Sequence, residues 1–181
     1  DIIGSLPGAD KGREEEHLDV VLNWAKSTGK LLHAHVDQLN TVQEKETEML
    51  AKNIIKFGLE GRAVAIHSIS LASHPSKYRS KVYELSKDAG LGFISCPTAW
   101  IDSRRSDLLS VEHNSVTPVD ELVKNNLIVG IGSDNIIDVY KPYSNGNILT
   151  ELRVLLEANH FYDIKELIKI ATTNGKKLIG L

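Results

Sequence analysis

Residues 31–36 read Leu-Leu-His-Ala-His-Val, and residues 63–67 read Ala-Val-Ala-Ile-His. Both are short, nearly continuous apolar runs that carry histidine at or near their ends. Such runs are typical of parallel strands that are covered on both faces, whereas a strand with one wet face alternates polar and apolar residues. Residues 1–6, 92–96 and 128–131 have the same character. The sequence therefore predicts five buried strands.

Helical patterns separate these strands. Apolar residues recur at the spacing of one helix face in residues 18–25, 50–57 and 78–89. Thr117 is predicted to cap a further helix at its N-terminus, and Gly175 is predicted to end the last one. Strands and helices alternate in units of roughly 30 residues, which predicts a parallel α/β protein.

Two architectures fit this alternation, a doubly wound open sheet and part of a (β/α)8 barrel. Five units fall three short of a barrel, and the chain has 181 residues, whereas a complete barrel typically needs about 250. The first residue is Asp1 and the only methionine is Met49. We therefore expect residues 1–181 to form one partial domain that is truncated at both ends.

The composition excludes several classes of protein. Hydrophobic residues make up 41% of the chain and charged residues 25%, which is ordinary for a globular domain. A net charge of -3 gives no basic footprint for nucleic acid, and no apolar run approaches the ~18 residues of a membrane span. Cys96 is the only cysteine, so we interpret it as a small buried hydrophobic residue and expect a cytoplasmic location.

Polar residues collect where the predicted strands end. His35 and His67 lie at the ends of two strands, and Ser133-Asp134-Asn135 follows another. Because the carboxyl ends of parallel strands meet at one edge of a sheet, these side chains can converge on one metal ion. Imidazole and carboxylate suit zinc or iron, and an open coordination position would hold the water that becomes the nucleophile.

Other interpretations of these residues remain open. A single histidine at a strand end is more often structural than a metal ligand. His33 also lies on the same strand face as His35, so the two could form an HxH pair. Gly130 and Gly132 follow a strand as in a dinucleotide fingerprint, but Asn135 stands where the third glycine belongs.

Several segments resemble the amidohydrolase superfamily, and within it the cytosine deaminase-like metal-dependent hydrolases. In chain order these segments are residues 33–38, 65–68, 95–97, 132–135 with Asp138 and Tyr140, and 171–181. The resemblance covers nearly the whole chain. It implies a (β/α)8 barrel of which this chain is the C-terminal five units, strands four to eight. The HxH pair of the family's first strand would then lie outside this chain.

The resemblance also implies roles for single residues. His35 matches the metal-binding histidine of strand five, and His67 matches the histidine of strand six that assists the reaction. Asp134 matches the aspartate of strand eight, which binds the metal and accepts the proton of the water. Gln38 replaces a proton-shuttling glutamate of the deaminases, and Asn135 replaces a second aspartate. An amide can hydrogen-bond a substrate but cannot transfer a proton as an acid or base.

We therefore expect a metal-dependent hydrolase of C–N bonds in small amides, cyclic amides or N-substituted heterocycles. Gln38 and Asn135 would orient the small-molecule substrate, and Trp100 or Tyr140 would stack on a flat ring. The cofactor would be one divalent metal, zinc or iron. We expect this chain alone to hold it weakly, because ligands on the first strand would be missing.

Two alternative functions stay open. One is a cytosine-type nucleobase deaminase that uses a different proton shuttle, and the other is a catalytically inactive barrel that serves as a binding or scaffold protein. No nucleic-acid or membrane partner is expected, and a homo-oligomer remains open. The upstream sequence discriminates these functions, since an intact HxH pair on a first strand favours the enzyme.

Overall fold

The computed structural model describes residues 1–100, except the side chain of Trp100, and residues 116–181. In this part of the chain the strands are β1 Ile2–Ser5, β2 Leu31–Val36, β3 Ala63–His67, β4 Gly92–Ser95 and β5 Val129–Ile131. The helices are α1 Glu14–Thr28, α2 Glu46–Phe57, α3 Ser76–Asp88, α4 Pro97–Trp100, α5 Val119–Lys124, α6 Ile148–Asn159, α7 Ile164–Ala171 and α8 Thr173–Leu178. None of the helices in the described ranges is long and apolar enough to cross a membrane.

The order of the strands decides between the two predicted architectures. All five strands pair in parallel and in sequence order, β1-β2-β3-β4-β5. A doubly wound sheet reverses its strand order at a switch point, whereas consecutive parallel pairing is the arrangement of a barrel wall. The prediction of parallel (β/α) units from a (β/α)8 barrel is confirmed.

The two faces of the sheet bury different sets of side chains. Ala63 and Ala65 in β3 belong to the main core, which lies between the sheet and the helices. The alternate residues Val64 and Ile66 belong to a smaller apolar cluster that also contains Cys96. Cys96 is therefore a buried small residue, as predicted, and its burial raises the pKa of its thiol.

Helix α8 closes the lower edge of the sheet, by which we mean the edge where the strands begin. The side chain of Leu178 is 6% exposed and lies against Gly92 and Gly130. A Cβ atom at Gly92 would lie 2.2 Å from Leu178 Cδ2, and one at Gly130 would lie 2.8 Å from Cδ1. A side chain at either glycine would force the Leu178 side chain to shift. The Asn174 side chain also donates a hydrogen bond to the Val129 carbonyl at 2.8 Å.

Two predictions about helix ends are wrong. Thr117 does not cap α5, because its hydroxyl donates instead to the backbone carbonyl of His67. Gly175 does not end the last helix, because the chain breaks at Thr172, with φ -135° and ψ -88°, and Gly175 lies inside α8. For Thr117, a contact with the end of β3 overrides the local helix signal.

Candidate active site

Three of the predicted site residues meet at the upper edge of the sheet, by which we mean the edge where the strands end. His35 is the penultimate residue of β2, His67 is the last residue of β3, and Asp134 follows β5. His35 Nδ1 lies 3.0 Å from His67 Nε2, and His67 Nε2 lies 3.6 Å from Asp134 Oδ2. The structure therefore brings together side chains from three strand exits.

The backbone is left-handed at several residues of this edge. The φ angles are 75° at His67, 51° at Ser68 and 57° at Asp134. Left-handed backbone at residues other than glycine costs about 1–3 kcal/mol each, and it is concentrated at functional sites. Here the Ser68 N–H donates to the Val36 carbonyl at 3.0 Å, and the Thr117 hydroxyl donates to the His67 carbonyl. The surrounding structure holds the chain in this conformation.

Both histidine rings are neutral near pH 7. Burial, followed by the neighbouring His35, lowers the pKa of His67 to about 3, and its side chain is 1% exposed. Burial also lowers the pKa of His35, although Asp134 opposes this shift. Each neutral ring has one N–H donor and one nitrogen lone pair. One ring can therefore donate to the other.

His33 has a different environment from His35. Its ring Nε2 donates to the carbonyl of Leu178 at 2.9 Å, and burial lowers its pKa. This hydrogen bond directs His33 toward α8 at the lower edge, away from the meeting point of His35 and His67. The geometry gives His33 a structural role and disfavours an HxH pair with His35.

Three other predicted site residues, Gln38, Asn135 and Tyr140, lie in loops of the upper edge. Gln38 is half-buried in the loop that leaves β2. Asn135 donates through Nδ2 to Asp138 Oδ2 at 2.5 Å, so its amide is held within its own loop. Tyr140 is 79% exposed on the same loop. The side chain of Trp100 lies outside the described residues.

The imidazole and carboxylate groups of the site are ligand types that suit a divalent cation. Among residues 1–100 and 116–181, however, no group of three or more His, Cys, Asp or Glu side chains is arranged to hold a metal ion. The set is therefore suitable but incomplete.

Residues that the sequence interpretation missed hold the loops of this edge. Glu151 in α6 accepts from the backbone N–H of Thr98 at 3.0 Å and from its hydroxyl at 2.5 Å, which ties α6 to the exit of β4. Thr117 holds the carbonyl of His67, and Asp37 joins the exit of β2 to α2. These contacts join residues distant in sequence, so no local motif marks them.

The fold and the site together define a barrel-type protein with a His–His–Asp centre at the edge where its strands end. The chain belongs to the amidohydrolase family, whose sequence profile matches residues 7–181. This membership confirms the resemblance that the strand-end motifs indicate.

Two curated relatives illustrate the family. An uncharacterized protein of Haemophilus influenzae is 48% identical over 126 residues, which are 68% of this chain and 46% of that protein. N-isopropylammelide isopropyl amidohydrolase of a Pseudomonas species is 25% identical over 187 residues, covering 100% of this chain and 43% of the enzyme. The chain thus spans less than half the length of these relatives.

A solved structure has the same fold over nearly the whole chain. The crystal structure of 5-methylcytosine deaminase from Klebsiella pneumoniae, liganded with phosphonocytosine, superposes with a TM-score of 0.90 at 28% sequence identity. The match covers 99% of this chain and 45% of the deaminase. The upper edge described here therefore has a counterpart within a longer protein.

Proposed function

We propose that the complete protein is a metal-dependent hydrolase of C–N bonds in small amides, cyclic amides or N-substituted heterocycles. The observation that carries this proposal is the meeting of His35, His67 and Asp134 at three strand exits. Family membership and the relatives named as an amidohydrolase and a deaminase support it. Residues 1–181 would form the C-terminal five units of the barrel.

One divalent cation, zinc or iron, would supply the acid chemistry of the site. When bound, it polarises the substrate and lowers the pKa of water to about 7. His35 and Asp134 would hold it, together with ligands from outside this chain. The neutral His35 ring and the Asp134 carboxylate are suitable donors, since ligating groups must be deprotonated.

Asp134 would act as the proton carrier of the reaction. Its side chain is 27% exposed, so a water molecule and a small substrate can reach it. The carboxylate would accept a proton from the attacking water and pass it to the leaving nitrogen. Neutral His67 would donate a hydrogen bond toward charge that develops on the substrate. Its burial keeps it uncharged and fixed in position.

The loops of the upper edge would orient the substrate. The Gln38 amide would hydrogen-bond it from the exit of β2. The Asn135 side chain donates to Asp138, so its carbonyl oxygen is the atom offered to a substrate N–H. Tyr140, and Trp100 from the exit of β4, would stack on a flat ring. A small-molecule substrate and a cytoplasmic location complete the proposal.

A cytosine-type deaminase is the second candidate function. The superposition on 5-methylcytosine deaminase favours it. Gln38 opposes it, because a glutamine cannot shuttle a proton to a ring nitrogen. If the Gln38 amide is what prevents deamination, Gln38→Glu in the complete protein should create or raise aminopyrimidine deamination. A catalytically inactive barrel is the third, and it predicts that the complete protein lacks an upstream HxH pair.

Hydrolysis of a defined panel by the complete protein tests the proposal. The panel contains N-alkylamino-triazines, cyclic amides and aminopyrimidines, each assayed with zinc, with iron and after chelation. We expect metal-dependent release of amine or ring opening from the first two classes. Efficient deamination of aminopyrimidines alone would replace the proposal with the second candidate. No turnover together with no bound metal would favour an inactive barrel.

A further inference from the structure

We propose that Asp37 is a positioning residue that holds Gln38 and the exit of β2 in the geometry required by the reaction. This inference rests on the proposed function. Asp37 lies two residues after His35 and directly before Gln38. Its side chain is buried and would not touch a substrate. It would act through the neighbouring residues.

The Asp37 carboxylate caps α2 from the loop that follows β2. Oδ1 accepts from the backbone N–H of Glu46 at 2.7 Å, and Oδ2 accepts from the backbone N–H of Thr47 at 3.2 Å. These are the first two residues of α2, and the residue at the N-cap position, Lys45, makes no side-chain capping bond. Helix starts need acceptors for their N–H groups, and here Asp37 supplies them from across a loop.

The contact is reciprocal, which fixes the backbone of Asp37 as well as its side chain. Glu46 Oε2 accepts from the Asp37 N–H at 2.9 Å, and the Ser70 N–H donates to the Asp37 carbonyl at 3.1 Å. All four polar atoms of Asp37 are thus bonded while its φ angle is 54°. We call this set, Asp37 with Glu46, Thr47 and Ser70, the Asp37 clasp.

The clasp connects the exits of neighbouring strands. The Thr47 hydroxyl donates to Ser68 Oγ at 3.0 Å, and Ser68 directly follows His67. On the other side, a Cβ atom at Gly8, in the turn after β1, would lie 2.7 Å from Glu46 Oε1. The loop that carries Gln38 is therefore held in a fixed relation to the strand end that carries His67.

This arrangement is built for orientation rather than for packing. Burying two carboxylates beside each other opposes folding unless each is well bonded, and an apolar pair would fill the same space without that requirement. A misplacement of about 1 Å at a reacting group can lower the rate by about 100-fold. A rigid exit of β2 would prevent such a misplacement of Gln38.

Double-mutant kinetics of the complete protein test the inference. We expect Asp37→Ala to lower kcat/KM about 10-fold or more, mainly through KM, with bound metal retained. On a Gln38→Ala background the same change should have little further effect, because Asp37 acts through Gln38. Independent, multiplicative effects of the two changes would overturn the inference. Should Asp37→Ala fail to fold, Asp37→Asn takes its place.

Two controls separate positioning from general stability. Glu121→Gln weakens a similar carboxylate contact outside the Asp37 clasp, where Glu121 accepts from Arg79 and Tyr83 between α3 and α5. It should leave kcat/KM within about twofold while lowering stability. Glu46→Gln keeps an oxygen for the Asp37 N–H, so it should impair KM less than Glu46→Ala. Equal losses in all these variants would indicate a merely structural role.

Crystal structures provide a measurement that does not depend on activity. If the complete wild-type protein hydrolyses nothing in the panel, the proposed function fails, but the position of Gln38 can still be compared. We expect Asp37→Ala to displace the Gln38 Cα atom by about 1 Å or more while β2 itself stays in place. An unmoved Gln38 would contradict the inference by itself.

Discussion

His33 and His35 lie two residues apart on one face of β2, yet they belong to different regions of the molecule. His33 donates to the Leu178 carbonyl of α8, whereas His35 meets His67 and, beyond it, Asp134. Residue type and strand face are the same for both histidines. They differ in their position along the strand. His33 lies nearer its start and contacts helix α8, whereas His35 lies near its end and contacts His67, the residue that ends the neighbouring strand.

The two edges of the sheet also differ in how they are built. At the lower edge the apolar side chain of Leu178 packs on strand glycines. At the upper edge, left-handed residues are held by buried carboxylates and hydroxyls. Apolar packing stabilises a fold, while strained backbone and buried charge oppose it. The comparison indicates that the lower edge contributes stability, and the proposed function assigns the chemistry to the upper edge.

The largest effect is expected from Asp134→Asn at the upper edge of the complete protein. Loss of the carboxylate removes the proton carrier, so kcat should fall by about 10²–10⁴-fold. The matched change at the lower edge is His33→Gln, which keeps a donor for the Leu178 carbonyl and should alter kcat by no more than about threefold. Similar losses of kcat in both variants would contradict the claim that the two edges have different roles.

At the lower edge we expect effects on stability without effects on turnover. Leu178→Ala should lower the free energy of unfolding by about 2–5 kcal/mol, and Gly92→Ala by about 1–3 kcal/mol through overpacking. In the double variant the new methyl group fills the space left by the leucine, so the losses should be less than additive. Urea unfolding gives the free energy of unfolding of the wild type, the two single variants and the double variant. Strictly additive losses would contradict the packing of Leu178 on Gly92.

The Glu46 carboxyl should make stability depend on pH. Burial raises its pKa from 4.5 to about 7, so the unfolded chain loses this proton before the folded chain does. The free energy of unfolding should therefore fall as pH rises from about 4.5 to about 7, by at most roughly 3 kcal/mol. Glu46→Gln should remove this contribution. In urea unfolding, the free energy of unfolding of the variant minus that of the wild type should therefore rise as pH rises from about 4.5 to about 7. A difference independent of pH would show that the raised pKa is absent.

A smaller effect is expected where Thr117 holds His67. Thr117→Val keeps the shape of the side chain but removes the hydroxyl that donates to the His67 carbonyl. The loss of this bond should cost about 1–3 kcal/mol in stability and lower kcat by about 10-fold through misplacement of His67. Thr117→Ser restores the donor and should recover most of both quantities. If Thr117→Ser does not restore kcat, the Thr117 hydroxyl does not position His67 for the reaction.

The sequence was sufficient for the five strands and for the meeting of the three site residues. Each predicted strand agrees with the structure to within two residues in total at its ends, because apolar runs report burial directly. The approach of His35, His67 and Asp134 follows from parallel topology, since the carboxyl ends of such strands share one edge.

Contacts between distant residues could not be predicted in this way. Thr117 precedes a helix and has the form of a local cap, but its acceptor is His67, 50 residues away. Asp37 caps a helix that begins nine residues later, beyond the spacing of a capping box. Local signals describe neighbours along a helix, and these partners are set by the tertiary fold.

The most direct test of the central claim is the position of a metal ion in a crystal of the complete protein loaded with zinc. Anomalous scattering at the zinc edge locates the ion without assumptions about its ligands. We predict one peak about 2.0–2.2 Å from a His35 ring nitrogen and from an Asp134 oxygen, with His33 still bonded to the Leu178 carbonyl. A peak bound by His33, or a protein that hydrolyses its substrate with no metal at the upper edge, would contradict the account.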